Sequence, residues 1–209
     1  FQTTPSRLKL MLEMSGPAAV PKSLQTLLIG GEAFPLDLFE KLRHVETRVF
    51  NVYGQTEATI WSTSTLINGT QQPTIGRPLL NEQAYVLDQS LQPVAPGQVG
   101  ELFIGGAGGW RGYLGLEELT ASKFVCPDWT EGKILYATGD LARLRNDGEF
   151  ECLGRSDDQI KLRGYRIELQ EIENHLVKHP ALQLAAVKTI QDPTTAEVRD
   201  LAAYYTLQP

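Results

Sequence analysis

Residues whose types and spacing could do chemistry gather in four short stretches of the 209-residue chain. In "NVYGQTEAT" (51–59) a hydroxyl, Thr56, stands beside a carboxylate, Glu57. Read alone, this is a solvated turn into a helix, with Thr56 capping the helix and Glu57 complementing its dipole. "YATGDL" (136–141) presents Asp140 after a glycine, by itself the mark of a turn. "GGAGGW" (105–110) has the glycine content of a phosphate loop but lacks the Lys-Ser/Thr ending that completes one. The fourth stretch, "GRSDDQIKLRGYRIELQEIE" (154–173), holds eleven charged or amide side chains in twenty positions. Its "QIKLR" segment alternates: Ile160 and Leu162 point one way, Gln159, Lys161 and Arg163 the other, as in a half-buried strand with a polar face. Without further context that is a solvated edge strand with cross-strand ion pairs.

The elements that must position these residues follow from hydrophobic periodicity. "SRLKLMLEM" (6–14) puts Leu8, Met11 and Leu12 at helical spacing, and "LQTLLI" (24–29) reads as a buried strand closed by two glycines. A helix starting at Pro35 and the strand "RVFNVY" (48–53) follow, which predicts an α/β layer with a parallel sheet. From about residue 63 the texture changes to short strands between Gly, Pro and Asn: "QAYVLDQ", "GELFIGG", "ILYATGD" and "LARLRNDGEFECLG". This portion predicts a β-rich subdomain, in the form of a distorted barrel, with a hairpin at Asn146-Asp147-Gly148. Beyond it, Leu169, Ile172 and Leu176 form one stripe of a helix stopped by Pro180, and two more strands complete a small lobe. The fold class expected is α/β and α+β: a partial large N-terminal lobe over 1–155, with a parallel sheet, helices and a β-rich part, followed by a small α+β C-terminal lobe over 156–209.

Composition excludes several function classes. A net charge of −6, with no basic run carrying interleaved aromatics, argues against a nucleic-acid partner. The longest apolar stretches, such as "LQLAAV" (182–187), are far shorter than the roughly 20 residues of a membrane helix. Cys126 and Cys152 lie 26 residues apart without a partner motif and read as reduced thiols. The opening at Phe1, with no Met, basic n-region or apolar signal core, leads to the expectation of a piece cut from something longer, not a product of export processing. The expected location is the cytoplasm.

Taken in their order and spacing, the four stretches closely resemble the core motifs of adenylation domains of nonribosomal peptide synthetases, in the adenylate-forming superfamily. The match covers most of residues 24–206. The resemblance implies an activity: an amino-acid carboxylate is joined to the α-phosphate of ATP, releasing pyrophosphate, and the acyl group then passes to a phosphopantetheine thiol on a partner carrier domain. Such chemistry asks a protein mainly for positioning and charge neutralisation. Carried over residue by residue, Glu57 matches the Mg²⁺ ligand, Thr56 the hydroxyl that bonds the α-phosphate, and Tyr53 the ring that stacks on adenine, with Asn51 on its polar edge. Asp140 matches the ribose ligand, whose two oxygens can accept from both hydroxyls of a cis-diol. Arg155 matches a nucleotide contact and Asp157 the hinge between the lobes. Lys161 matches the residue on the strand that serves the thioester step, and Gly164 the point where the pantetheine arm passes close to backbone. "QIKLRGYRIEL" followed by "EIE" resembles peptide synthetases more than acyl-CoA ligases, so the thiol acceptor implied is a peptidyl carrier domain, flanked by neighbouring synthetase domains. Three departures stand out: Gln55 replaces a frequent proline, Gly109-Trp110 stands where a Val-Ala or similar pair is common, and Cys152 stands where an aromatic is common.

Six positions match the side-chain pocket of such domains: Gln2, Leu28, Gly30, Val52, Ile60 and Trp61. Their combination is similar to that of glycine-activating domains, with alanine the nearest competitor. Bulky Gln2 and Trp61 would leave room for little beyond an α-carbon, and exclusion by clash discriminates strongly. Each is also an ordinary core residue when read alone. The phosphate loop and the terminal lysine motif of the family find no match within 1–209. The expectation is therefore the central and carboxyl-side portion of an adenylation domain, inactive by itself. The alternative is a non-catalytic interaction or binding module derived from one.

Overall fold

The computed structural model describes residues 1–70, 72–108, 110–193 and 198–208. They divide into two compact units, Phe1–Ser156 and Asp157–Pro209. The division falls one residue beyond the expected boundary, because Ser156 donates through both its N–H and its hydroxyl to the Gly139 carbonyl, each at 2.9 Å.

In the first unit, β1 (Gln2–Thr3), α1 (Pro5–Ser15), β2 (Thr26–Gly30), α2 (Leu36–Leu42), β3 (Arg48–Tyr53), β4 (Thr63–Leu66) and β5 (Arg77–Pro78) build a sheet in the order β1-β2-β3-β4-β5. Strands β1, β2 and β3 are parallel, as expected, but β4 and β5 return antiparallel, so the sheet is mixed. Helix α1 starts where Thr4 caps it, its side chain accepting from the Arg7 N–H, with proline in the first turn. Leu8, Leu38, Phe39 and Leu42 of the two helices are buried against Leu27, Ile29 and Val49 of the sheet. Burial of side chains of this size contributes about 1.5–3 kcal/mol each. One face of the sheet is thereby sealed by helices.

The second sheet collects β6 (Glu82–Leu87), β7 (Val99–Gly106), β9 (Leu135–Leu144) and β10 (Phe150–Arg155) in the order β10-β9-β7-β6, all neighbours antiparallel. Helix α3 (Glu117–Lys123) leads into the short β8 (Phe124–Val125), which pairs with β9. The expected barrel does not form: among the described residues β6 and β10 remain the edges of an open sheet. Nor are "ILYATGD" and "LARLR" separate strands, since β9 runs through both. The two sheets are stitched where Gly76 bridges Phe150 and where Thr65 and Thr74 donate to the Glu149 carboxylate. Trp110 packs with Phe124 and Tyr136, ring centroids 6.1 and 6.2 Å away, so the large residue beside the glycine run serves an aromatic cluster. Gly109, its partner in that departure, lies outside the described residues.

The second unit contains β11 (Gln159–Leu162), β12 (Tyr165–Glu168), α4 (Leu169–Leu176), β13 (Leu182–Gln191) and β14 (Val198–Leu207). Strand β12 was not expected; it pairs antiparallel with β11 across a two-residue turn in which Arg163 and Gly164 both have positive φ, 53° and 82°. That is the backbone of a primed hairpin turn. Strands β13 and β14 form a second antiparallel ribbon, onto which α4 ties itself through Glu173, whose carboxylate accepts from the Val187 N–H at 2.8 Å. The polar face assigned to β11 needs correction: Gln159 is buried, and its amide donates to Glu168.

Candidate functional site

Three of the four motifs meet at one carboxylate. Strand β9 carries Asp140 just past a bulge at Gly139, where φ is +75° and the pairing register with β7 shifts. Bulges re-aim side chains, and only glycine takes this φ without strain. The bulge is pinned by Glu101, which accepts from the Gly139 N–H at 2.9 Å, and by Thr138, whose hydroxyl accepts from the Asp140 N–H at 3.0 Å and donates to the Leu102 carbonyl at 2.7 Å. Asp140 is 6% exposed. Arg155, on β10 directly opposite in register, donates to its Oδ1 at 3.0 Å and to the Thr138 carbonyl at 2.9 Å. From the first sheet, Tyr53 ends β3 inside the core of the second, among Val86, Leu102, Ile104 and Phe150, and its hydroxyl donates to Asp140 Oδ2. Burial and the Asp140 charge push the Tyr53 phenol well above its ordinary pKa, which keeps it a donor.

Sequence reasoning missed Gln55 in this cluster. Its Nε2 donates to Asp140 Oδ2 at 2.9 Å and to the Tyr53 hydroxyl at 2.5 Å, while its Oε1 is buried without a hydrogen-bond partner. The motif showed only a residue where proline is frequent, and nothing local signals a partner 85 positions away. Asn51, expected near a base, points to the helix-covered face and donates to the Thr74 carbonyl at 2.6 Å; in this structure it holds a loop.

Thr56 and Glu57 start a short 3₁₀ turn, Thr56–Ala58. Thr56 is exposed, and Glu57 is half-buried with Oε1 accepting from the Tyr113 hydroxyl at 2.6 Å. Tyr113 is a second residue that sequence reasoning did not find. The chain leaves the turn through Thr59 and Ile60, with φ of +52° and +81°. A β-branched residue in that region is strained, and such strain persists only where surrounding structure imposes it.

Four of the six pocket positions share one face of the first sheet. In register, Gln2 faces Leu28 and Gly30 faces Val52, all on the side opposite the helices. The turn then brings Trp61 onto that face. A Cβ on Gly30 would stand 2.8 Å from Trp61 Cη2 and 2.7 Å from Val52 Cγ2, and closer still to the Val52 carbonyl. The indole thus occupies the space a side chain at position 30 would fill. Ile60, at 60% exposed, is not packed into the group. We expect Gly30→Ala to cost about 1–3 kcal/mol by overpacking, a fall of roughly 2–12 °C in melting temperature for a unit of this size; thermal unfolding followed by tryptophan fluorescence measures it.

In the second unit, Asp157 makes a local turn, its Oδ1 accepting from the Gln159 N–H at 3.2 Å. Lys161 lies on β11 opposite Arg166, and Gly164 is the second residue of the hairpin turn. Among the described residues no three His, Cys, Asp or Glu side chains cluster as a metal site, and no helix is long and apolar enough to cross a membrane. Cys126 and Cys152 are exposed and are not joined in a disulfide.

Comparison with known proteins identifies the family that shares this architecture. Residues 1–114 match the family described as AMP-binding enzyme, and the chain belongs to that family. Its curated relatives include nonribosomal peptide synthases. A dimodular nonribosomal peptide synthase of Bacillus subtilis is 48% identical over 177 residues, which is 82% of this chain and 7% of that protein. An artificially fused adenylation–carrier di-domain from Klebsiella oxytoca, NpsA-ThdA, superposes with a TM-score of 0.85 at 26% identity, over 100% of this chain and 39% of that one. AB3403, a four-domain nonribosomal peptide synthetase solved with AMP and glycine, is 39% identical with a TM-score of 0.67, over 100% of this chain and 16% of its own. The chain therefore spans a small part of the length of the proteins it matches.

Proposed function

We propose that this chain is the central and carboxyl-side portion of an adenylation domain that activates glycine with ATP and delivers it to the phosphopantetheine thiol of a carrier domain. The observation that carries the reading is the convergence of Tyr53, Asp140 and Arg155, from three separated motifs, on one buried carboxylate. Asp140 receives the ribose diol, Arg155 holds the carboxylate and lies against the nucleotide, and Tyr53, whose ring packs in the core of the second sheet instead of standing free to stack on the base, holds Asp140 from beneath. Thr56, exposed at the head of its turn, bonds the α-phosphate. Asp157 is the pivot for the second unit, Lys161 serves that unit's half of the reaction, and Gly164 lines the pantetheine path.

Glycine selectivity is supported by the Trp61 indole seated over Gly30 beside Val52, with Leu28 and Gln2 on the same face. The 39% identical synthetase solved with AMP and glycine points the same way. The test is glycine-dependent ATP–pyrophosphate exchange by this chain and by a version extended at both ends to supply the phosphate loop and the terminal lysine motif. Exchange by the extended protein alone, with preference for glycine over alanine and a bulky amino acid, is the expected result. Silence with every amino acid would replace the enzyme reading by an interaction module.

The donor set fits Mg²⁺: one half-buried carboxylate, Glu57, beside the Thr56 hydroxyl, is what this hard cation uses when phosphates and waters complete its shell. When bound, the ion would neutralise charge on the phosphates. Glu57 would hold it, and Tyr113 would fix the carboxylate through the bond to Oε1. Loss of such outer partners costs about 10–100-fold in metal affinity. We therefore expect Tyr113→Phe to raise the Mg²⁺ concentration for half-maximal exchange by about tenfold and Glu57→Gln to raise it further. A Mg²⁺ titration of exchange would read both, and an unchanged midpoint in Glu57→Gln would remove the ligand assignment.

A further inference from the structure

We infer that Gln55 is the exchangeable donor on Asp140, a positioning residue that fills Oδ2 until a ribose hydroxyl takes its place, and that it thereby sets how strongly the site distinguishes ribose from deoxyribose. The inference rests on the reading that Asp140 receives the ribose diol.

A carboxylate has about four acceptor positions, two on each oxygen. Among the described residues Oδ1 accepts from Arg155 at 3.0 Å, and Oδ2 accepts from both Tyr53 and Gln55. A cis-diol that engages both oxygens finds one position left on Oδ1 and none on Oδ2. One of the two Oδ2 donors must therefore yield. Tyr53 is fixed by its ring, which is buried in the core of the second sheet. Gln55 is not so constrained, because its Nε2 also lies 2.5 Å from the Tyr53 hydroxyl and keeps that partner when the contact to Asp140 is given up.

The amide cannot be turned over to avoid the conflict, since that would set Oε1 against the carboxylate oxygen it now faces through Nε2. As it stands, Oε1 is buried with no hydrogen-bond partner in a side chain only 9% exposed. An orphaned buried acceptor is costly, so the arrangement that the diol displaces is a shallow one. An incoming hydroxyl, a donor as well as an acceptor, can bond the carboxylate and leave the amide free to turn Oε1 toward a donor. A proline at this position could neither fill Oδ2 nor give it back, which is why the residue marks this chain within its motif.

The experiment uses the adenylation domain extended at both ends, with KM and kcat for ATP and for 2′-deoxyATP measured in glycine-dependent pyrophosphate exchange. Gln55→Met preserves the side-chain length and removes the donor. The KM for ATP should fall by about tenfold, the value of one hydrogen bond to a charged acceptor, with kcat little altered. The KM for 2′-deoxyATP should move by less than about twofold, because a single hydroxyl seats on Oδ1 without displacing anything. Gln55→Ala should shift the ratio of the two KM values in the same direction, and because the ratio is internal to each variant it survives a loss of stability. Equal changes for both nucleotides would assign Gln55 to packing alone and overturn the inference, as would no change in either. A parent enzyme that uses ATP and 2′-deoxyATP equally would instead overturn the ribose assignment of Asp140 itself.

Discussion

Asp140→Asn lowers ATP–pyrophosphate exchange by at least about a hundredfold in the extended domain, whereas Asp140→Ala adds a loss of stability. The activity figure follows from the proposed role of Asp140, two hydrogen bonds between a ribose diol and a charged acceptor, each contributing about 1.5–3 kcal/mol, with about 1.4 kcal/mol per factor of ten. The two substitutions differ because of what they leave behind. Asparagine keeps one oxygen for Arg155, which lies 3.0 Å from the present Oδ1. Its amide then faces Tyr53, whose hydroxyl can rotate and accept. Alanine leaves a partly buried guanidinium with no carboxylate at that position, and breaking such a pair from one side costs on the order of 3 kcal/mol. For a unit of this size that is a fall of about 6–12 °C in melting temperature. Calorimetry and exchange kinetics on both variants separate the effects. An Asp140→Asn protein with an unaltered KM for ATP would exclude Asp140 as the acceptor of the diol.

The residues at this site were legible in the sequence where their chemistry is local, and hidden where it depends on distant partners. Tyr53, Asp140 and Arg155 each sit in a motif whose order identifies them, and the structure draws them to one point. Gln55 and Tyr113 gave no such sign: one bonds a residue 85 positions away, the other a residue 56 positions away. The fold divides in the same manner. Helix α1, with its threonine cap and proline, and strand β2 are written in short-range patterns, and so is the stripe of α4. The length of β9 is not, because "ATGD" carries every mark of a turn, and only pairing with β7 and β10 turns the break into a bulge. Strict alternation puts Gln159 on the polar face of β11 with Lys161 and Arg163. Its burial depends on Glu168 across the unrecognised hairpin, whose turn places an arginine at positive φ, where Asn or Asp is the usual signal.

On the proposed glycine reading, Trp61→Ala should open the site to larger amino acids, raising exchange with alanine relative to glycine by at least about tenfold. A methyl group admitted to or refused by an apolar pocket is worth about 1–3 kcal/mol, and on the proposed reading the indole seated over Gly30 is the group that refuses it. The substitution removes the ring whose Cη2 approaches Gly30, while the Val52 side chain remains, so the opening lies on one side of the pocket only. Val52→Ala should therefore shift selectivity less. Stability provides an independent check on the same geometry. If the indole and the residue at position 30 compete for one space, Gly30→Ala should cost less in the Trp61→Ala background than alone, and the double-mutant cycle should show coupling. The relief must be partial, because the new Cβ also collides with the Val52 carbonyl, which belongs to the backbone of β3 and moves only with the sheet. Strict additivity of the two substitutions would mean that the indole does not sit on Gly30 in solution. The size limit that the glycine reading requires would then have to come from Gln2 and Leu28, their neighbours on the same sheet face.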